Sequence, residues 1–205
     1  LQALARQVEQ VLDLGALANH RSSVLGALPG IPQPTQKRFD TLVWDALRRF
    51  DPKRPVYVES ESKKVGNVAV PASLIDAMRL SPCLNLVLPD AERVALLMED
   101  YDFFVQNPGD FCNRLQVLSE FRGKVVVDGW LKQVSTGHLD GVVQELLTLH
   151  YDPVYLQSMR RNFKHYEQAK IISPANHSEQ AMDELARLMI RESPTVAARL
   201  TEEAS

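Results

Sequence analysis

The sequence predicts an α/β fold with a mostly parallel sheet, and three observations carry that prediction. Short apolar runs alternate with stretches of helical period along the first hundred residues, the pattern of strands joined by helices. The first two runs have acids at their ends, Asp13 and Glu59. Right-handed crossovers would bring the carboxyl ends of such strands to one edge, where ligands bind in these folds. The composition is that of a globular chain: 205 residues, 45% hydrophobic and 24% charged, enough for one large domain or one domain with a small appendage.

The elements follow in order. Leu1, Leu4, Ala5, Val8 and Leu12 fall at roughly helical spacing, so the chain opens inside a helix. It opens on leucine, with no capping residue ahead of that helix, and we read it as a piece of a longer protein. Residues 11–14 are predicted as a buried strand. Residues 18–36 are loop, broken by Pro29, Gly30, Pro32 and Pro34. Residues 37–50 return to helical period through Phe39, Leu42, Val43, Ala46, Leu47 and Phe50, and Asp51-Pro52 ends them. A second strand over 55–59 runs into a polar loop over 60–71. A short helix over 72–80, a third strand over 84–88 and a helix from 90 or 91 to about 101 come next. Beyond that the strand signals thin. Residues 110–121, 125–134, 137–149 and 154–165 read as helices and 170–172 as a last strand. Residues 179–191 form an amphipathic helix with Ala181, Leu185, Leu188 and Met189 on one face, and the tail from Glu192 is polar. The expected organisation is therefore an α/β core over 1–101 and a mainly helical region over 102–205, with 170–172 able to return one strand to the sheet.

Several function classes fall away. No run approaches the roughly 18 apolar residues of a membrane-spanning helix. Cys83 and Cys112 make neither a CxxC pair nor a disulfide framework, so a reducing, cytoplasmic setting is expected. The net charge of −3 gives no global pull toward nucleic acid, and any such site must be a local basic patch. His20, His138, His150, His165 and His177 show no metal-ligand spacing, and no metal site is expected. GxSxG, a Cys–His nucleophile pattern and GxxxxGK[ST] are all absent.

Four stretches could carry chemistry. Asn19-His20-Arg21-Ser22-Ser23 follows the first strand and combines a titratable group, a fixed cation and two hydroxyls, types suited to phosphate; the plainer alternative is a solvated loop. Gln33, Gln36, Lys37 and Arg38 stand where a proline-rich loop enters a helix, a position that attracts anions. Glu59-Ser60-Glu61-Ser62-Lys63-Lys64 follows the second strand, where a strand-end acid could serve a nucleotide's magnesium, or the charges could pair with each other. Basic groups cluster at Arg48, Arg49, Lys53 and Arg54, and again at Arg160, Arg161 and Lys164 among Tyr155, Phe163 and Tyr166. Basic and aromatic residues together suit an RNA backbone and unstacked bases.

One string lifts the reading further. Leu12-Asp13-Leu14-Gly15-Ala16-Leu17-Ala18-Asn19-His20-Arg21-Ser22-Ser23 resembles the segment "LDLEGLANHRGS" of bacterial tRNA 2-selenouridine synthases. Gln33-Pro34-Thr35-Gln36-Lys37-Arg38-Phe39 is similar to that family's "QPSQKRFE". Val58-Glu59-Ser60-Glu61-Ser62-Lys63-Lys64-Val65-Gly66, with Pro71 after it, resembles "VEDESRRIG". Glu92-Arg93-Val94 and Asp100-Tyr101 match a later "ERV…L…DY" pattern. Four ordered blocks cover about residues 1–101; the C-terminal half is similar only in general character.

The resemblance implies a P-loop NTPase-like domain lacking its first strand and its phosphate loop, a "GxTGxGKT" that would lie just upstream. It also implies a rhodanese-like domain earlier in the same native chain, holding a catalytic cysteine that neither Cys83 nor Cys112 matches, so no catalytic residue is expected here. The implied activity replaces sulfur by selenium at wobble 2-thiouridine of tRNA, through a geranylated intermediate, with selenophosphate and geranyl diphosphate as co-substrates. On this basis His20, Arg21, Ser23, Gln36, Lys37, Glu59, Glu61 and Gly66 become candidates for binding substrate or diphosphate. Arg48, Arg49, Arg160, Arg161 and Lys164 become candidates for the tRNA backbone. The chain departs from the family at Gly15, where glutamate is usual, and at Lys63 and Lys64, which replace paired arginines and lose the bidentate fork. It departs also at Ser22, which replaces a glycine and would be strained at a positive φ. Two other readings stay open: a non-catalytic RNA-binding module, and a small-molecule kinase relative without its phosphate loop.

Overall fold

The structure, a computed structural model, describes residues 1–21, 23 and 25–193. The expectations for Ser22 and for the polar tail beyond residue 193 lie outside the described residues. The fold is mixed α/β, with small parallel sheets and many helices. The chain divides into two compact units: Leu1–Val87 together with the chain from Phe163 on, and Leu88–Asn162.

The first unit opens with α1 (Gln2–Arg6), closed by Arg6. Strand β1 (Gln10–Leu12) follows, and then one helical turn, α2 (Leu14–Leu17), whose N-terminus is capped by the Asp13 side chain accepting from the Ala16 N–H at 2.7 Å. The cap is why the strand ends earlier than expected and Leu14 starts a turn. Helix α3 (Gln36–Leu47) is capped by Thr35 and buries Phe39 and Val43. Strand β2 (Val56–Val58) pairs in parallel with β1, in the register Gln10↔Val56, Val11↔Tyr57, Leu12↔Val58. The Gln10 amide clamps the turn between α3 and β2, donating to the carbonyls of Asp51 and Arg54 and accepting from the Asp51 N–H.

The segment expected as loop over 60–71 contains a small hairpin, β3 (Lys64–Val65) and β4 (Val68–Ala69). Gly66 turns it at φ +59°, a value that favours glycine. Helix α4 (Ala72–Leu80) leads to β5 (Leu84–Leu86), and β6 (Lys170–Ile172) pairs in parallel with β5. The last described helix of this unit, α12 (Glu179–Glu192), is capped by Ser178 and buries Ala181, Leu185, Ala186 and Met189. Arg6 fixes α1 to it through Asp183, at 2.7 Å. One apolar cluster of Leu4, Ile172, Leu185, Ala186 and Met189 takes Val11, Tyr57 and Leu84 against it. It therefore covers one face of both parallel pairs.

The second unit is helical: α5 (Asp90–Asp100), α6 (Asp102–Gln106), α7 (Pro108–Gln116), α8 (Ser119–Arg122), α9 (Lys124–Ser135), α10 (Leu139–Leu146) and α11 (Asp152–Asn162). The single helix expected over 110–121 breaks in two, and Gly123 at φ +83° separates α8 from α9. A π-helical turn, Leu147–Tyr151, joins α10 to α11 and carries the buried His150. The Arg122 Nε–H donates to His150 Nδ1 at 2.9 Å and the guanidinium also reaches the His150 carbonyl. Burial first, then the Arg122 charge, holds His150 below its ordinary pKa of 6.5. The folded ring stays neutral while the unfolded one gains a proton as pH falls through the ordinary value, so this contribution is present above 6.5 and lost below it. Replacing His150 by Asn is expected to flatten the fall in stability between about pH 7 and pH 5, measured as urea midpoints across that range. An unchanged slope would remove His150 from the account.

Among the described residues, no helix is long and apolar enough to cross a membrane.

Candidate functional site at the strand ends

Three of the four sequence blocks meet at the carboxyl ends of β1 and β2. Glu59 follows β2 directly, and its Oε1 accepts the Gly15 N–H at 2.8 Å, at the start of α2. Asp13 stands at the same point. A Cβ placed on Gly15 would lie 3.6 Å from Asp13 Oδ1, 3.7 Å from Glu59 Oε1 and 3.0 Å from the His20 carbonyl. Gly15 in turn accepts the His20 N–H at 3.0 Å. His20, only 9% exposed, bridges to Ala27, and its ring packs over Gly66, where a Cβ would come within 2.7 Å of Cδ2.

Gln33 ties the blocks together. Its Nε2 donates to the carbonyls of Ala18 (3.1 Å) and Val65 (3.0 Å), and its Oε1 accepts the Asn67 N–H (2.8 Å). Gly66 is required there twice over, by its positive φ and because a Cβ would sit 2.2 Å from Gln33 Oε1. Gln36 does the same for the hairpin: its amide pairs with both the N–H (2.7 Å) and the carbonyl (2.9 Å) of Ala69. Both glutamines thus bind the protein's own backbone, and Gln36 Nε2 also donates to Asp40 Oδ1 at 2.8 Å.

Glu59 Oε2 is buried and has no hydrogen-bond partner among the described residues. Burial raises the Glu59 carboxyl above its ordinary value; hydrogen bonds from the N–H groups of Gly15, Glu59 itself and Leu14 oppose this, and the Asp13 charge adds to it. Ser23 Oγ is likewise buried without a partner. Arg21 is exposed, and its N–H donates to the Gly26 carbonyl at 2.9 Å. Glu61 stays beside Glu59, its N–H donating to the Glu59 carbonyl.

Lys37, in the first turn of α3, engages no ion pair or hydrogen bond with its side chain among the described residues. It borders an open cavity of about 600 Å³ lined with Gln36, Asp40, Thr41 and Trp44. Trp44, which helical-stripe reasoning passes over because it lies off the Phe39–Val43 face, is 64% exposed.

The expected tRNA contacts are divided between the two units. Arg48 and Arg49 both pair with Asp45. Arg160 and Arg161 close α11 in the second unit, and Lys164 belongs to the first, its N–H bonded to the Arg79 carbonyl. The fourth sequence block lies in the second unit, where Arg93 makes a two-pronged bond to Asp152. Burial pushes the Cys83 thiol up, away from the thiolate a nucleophile needs. Among the described residues no three His, Cys, Asp or Glu side chains converge as a ligand set for a metal.

Residues 2–125 match the family described as the tRNA 2-selenouridine synthase AAA domain. The tRNA 2-selenouridine synthase of Marinobacter nauticus is 30% identical over 179 residues, covering 73% of this chain and 48% of that protein. Its namesake in Hydrogenovibrio crunogenus is 28% identical over 179 residues, covering 77% of this chain and 49% of its own. In Nitrosomonas eutropha the namesake is 39% identical over 97 residues, covering 44% of this chain and 24% of its own. The chain spans about half the length of the curated relatives it matches over most of its own length. No solved structure matches it.

Proposed function

The chain belongs to the family of the tRNA 2-selenouridine synthase AAA domain, and from that premise we propose that it is the P-loop-like part of a tRNA-modifying transferase. The transferase replaces sulfur by selenium at wobble 2-thiouridine, by way of a geranylated intermediate. Geranyl diphosphate and selenophosphate are its co-substrates, and the cytoplasm is its setting. The observation that carries this reading is the convergence of the three sequence blocks, joined by Glu59 to Gly15 and by Gln33 to Ala18 and Val65, at the strand ends where α/β folds bind ligands.

In this reading Arg21 and Lys37 neutralise the diphosphate that leaves an allylic carbon. Positioned cations stabilise charge developing on a leaving group. Ser23 Oγ and Glu59 Oε2, both buried and without a partner among the described residues, are proposed to hydrogen-bond the substrate once it binds, the hydroxyl as donor or acceptor and the carboxylate as acceptor, and His20 and Gly66 form a wall of the crevice. Gln36 and Gln33 act by holding the hairpin to the α3 entry. Arg48, Arg49, Arg160, Arg161 and Lys164 are proposed to meet the tRNA backbone, and the transfer itself is assigned to a cysteine in a rhodanese-like domain of the same native chain.

The finer fold reading belongs to the same proposal. Two parallel pairs, β1–β2 and β5–β6, share one apolar cover, and each leaves an unpaired edge. A further parallel strand between β2 and β5, leading into a phosphate loop, would join them into one sheet and remove an exposed edge of the kind that invites aggregation. The test is the full-length enzyme with Arg21→Ala and Lys37→Ala. Loss of geranyl transfer to 2-thiouridine tRNA, with folding retained, is expected; unchanged transfer would overturn the assignment.

A further inference from the structure

We propose that the open face of α3 around Trp44 binds an unpaired RNA nucleobase by stacking. The proposal rests on the reading of RNA as this protein's macromolecular substrate and adds to it a contact to a base.

The chain has two tryptophans, used in opposite ways. Trp130 is fully buried, whereas Trp44 is 64% exposed on a helix whose core face is already supplied by Phe39 and Val43. Nothing in the packing of α3 calls for a large ring at position 44. The indole is nevertheless held: the Arg48 guanidinium lies 5.2 Å from its centroid, and Arg48 is itself fixed by Asp45. A ring braced in this way is a platform, and the cavity beside it, about 600 Å³, lies within the usual range for small-ligand sites.

Charge identifies the occupant. Between residues 36 and 54 stand six cations and three acids, in a chain whose net charge is −3. Lys37 and Arg38 occupy the first turn of α3, where no acid stands and where the helix dipole disfavours cations. Neither engages its side chain in an ion pair or hydrogen bond among the described residues. An aromatic platform with uncommitted cations about two turns away, some 10 Å along the helix axis, matches the alternation of base and phosphate in a single strand. At the platform itself Asp40 lines the cavity; its Oδ1 already accepts from Gln36 Nε2 at 2.8 Å, and the carboxylate would repel a phosphate while Oδ2 could take a base N–H. A duplex, whose bases are already stacked, does not fit this arrangement.

The test uses the full native chain and three labelled RNA probes: a single-stranded oligouridine, the same strand with its bases removed, and a duplex of equal length. Trp44→Ala is expected to weaken oligouridine binding by about tenfold. Trp44→Phe should retain most of the affinity, and the abasic strand should bind weakly and equally to wild type and Trp44→Ala. Arg38→Ala should lower the salt dependence, which Trp44→Ala leaves unchanged. Equal binding of oligouridine by wild type and Trp44→Ala would overturn the proposal, as would an equal loss on all three probes. A change of oligomeric mass in Trp44→Ala without loss of RNA binding would also overturn it and show the ring covered by protein. The two readings fail separately. Base-dependent binding without tRNA modification sinks only the transferase assignment, and modification that ignores Trp44 sinks only the stacking site.

Discussion

Replacing Trp130 by alanine is expected to cost about 3–5 kcal/mol of stability, the range for deleting a large buried aromatic. Trp130 lies on α9 with no exposed surface and packs in the same helical unit as Phe111, Leu115, Val127, Val134 and Val142. Its Nε1–H also donates to Glu145 Oε2 at 2.8 Å, while Glu145 Oε1 accepts from Gln133 at 3.0 Å. Alanine would therefore leave a cavity and take away one of the two donors that hold a half-buried carboxylate in place. Phenylalanine would keep most of the volume and lose the hydrogen bond, for a cost of about 1–3 kcal/mol. Urea titration followed by far-UV circular dichroism measures both. Trp44→Ala, measured alongside, should fall within about 0.5 kcal/mol of wild type, as for an exposed position. A Trp130→Ala loss below about 1 kcal/mol would mean the unit repacks around the gap and is not the close-packed core described here.

The elements that could be read ahead of the structure are those whose signal is local. The helix over Ala72–Leu80 sits between a proline and a serine, and β2 is a β-branched and aromatic run between Pro55 and Glu59. The hairpin Lys64–Ala69 gives no such signal, because two residues per strand show no period and only Gly66 marks the turn. The break after α7 is equally silent: Val117 and Leu118 continue the apolar character of the helix, and only the structure shows their N–H groups turning to the carbonyls of Arg114 and Leu115, three residues back. In the crevice, the acids Asp13 and Glu59 were legible as strand-end residues. What holds them was not, since the bond from Gly15 to Glu59 joins residues 44 apart. Gln33 and Gln36 read as side chains free to meet a ligand, and only the folded backbone shows their amides consumed by Ala18, Val65, Asn67 and Ala69. Trp44 was missed for the opposite reason. A helical stripe identifies residues that turn inward, and the ring turns outward.

Glu59→Gln is expected to separate stability from activity. The substitution keeps an oxygen for the Gly15 N–H, removes the charge and puts an NH2 donor where Oε2 stood. Desolvation is the largest influence on this carboxyl, and it raises the folded pKa above the ordinary 4.5. The sign follows from proton counting. Below 4.5 both folded and unfolded carboxyls are protonated and burial of charge costs nothing. As pH rises through the ordinary value the unfolded group ionises first, the folded state holds more protons, and stability falls. The fall ends above the raised folded value, where both forms are ionised and the full cost of the buried charge remains. The glutamine variant has no such titration, so its advantage over wild type should be absent in acid and grow as pH rises above 4.5, read as the difference in urea midpoint across pH 4 to 8. Turnover of the full-length enzyme should move the other way, down by about two orders of magnitude, the effect of removing one positioned polar contact from a reacting site. If the glutamine variant were less stable at neutral pH, the ionised carboxylate's bond to Gly15 would outweigh its burial. If turnover were unchanged, the unpartnered Oε2 would face no substrate, and the crevice at the ends of β1 and β2 would lose its acid.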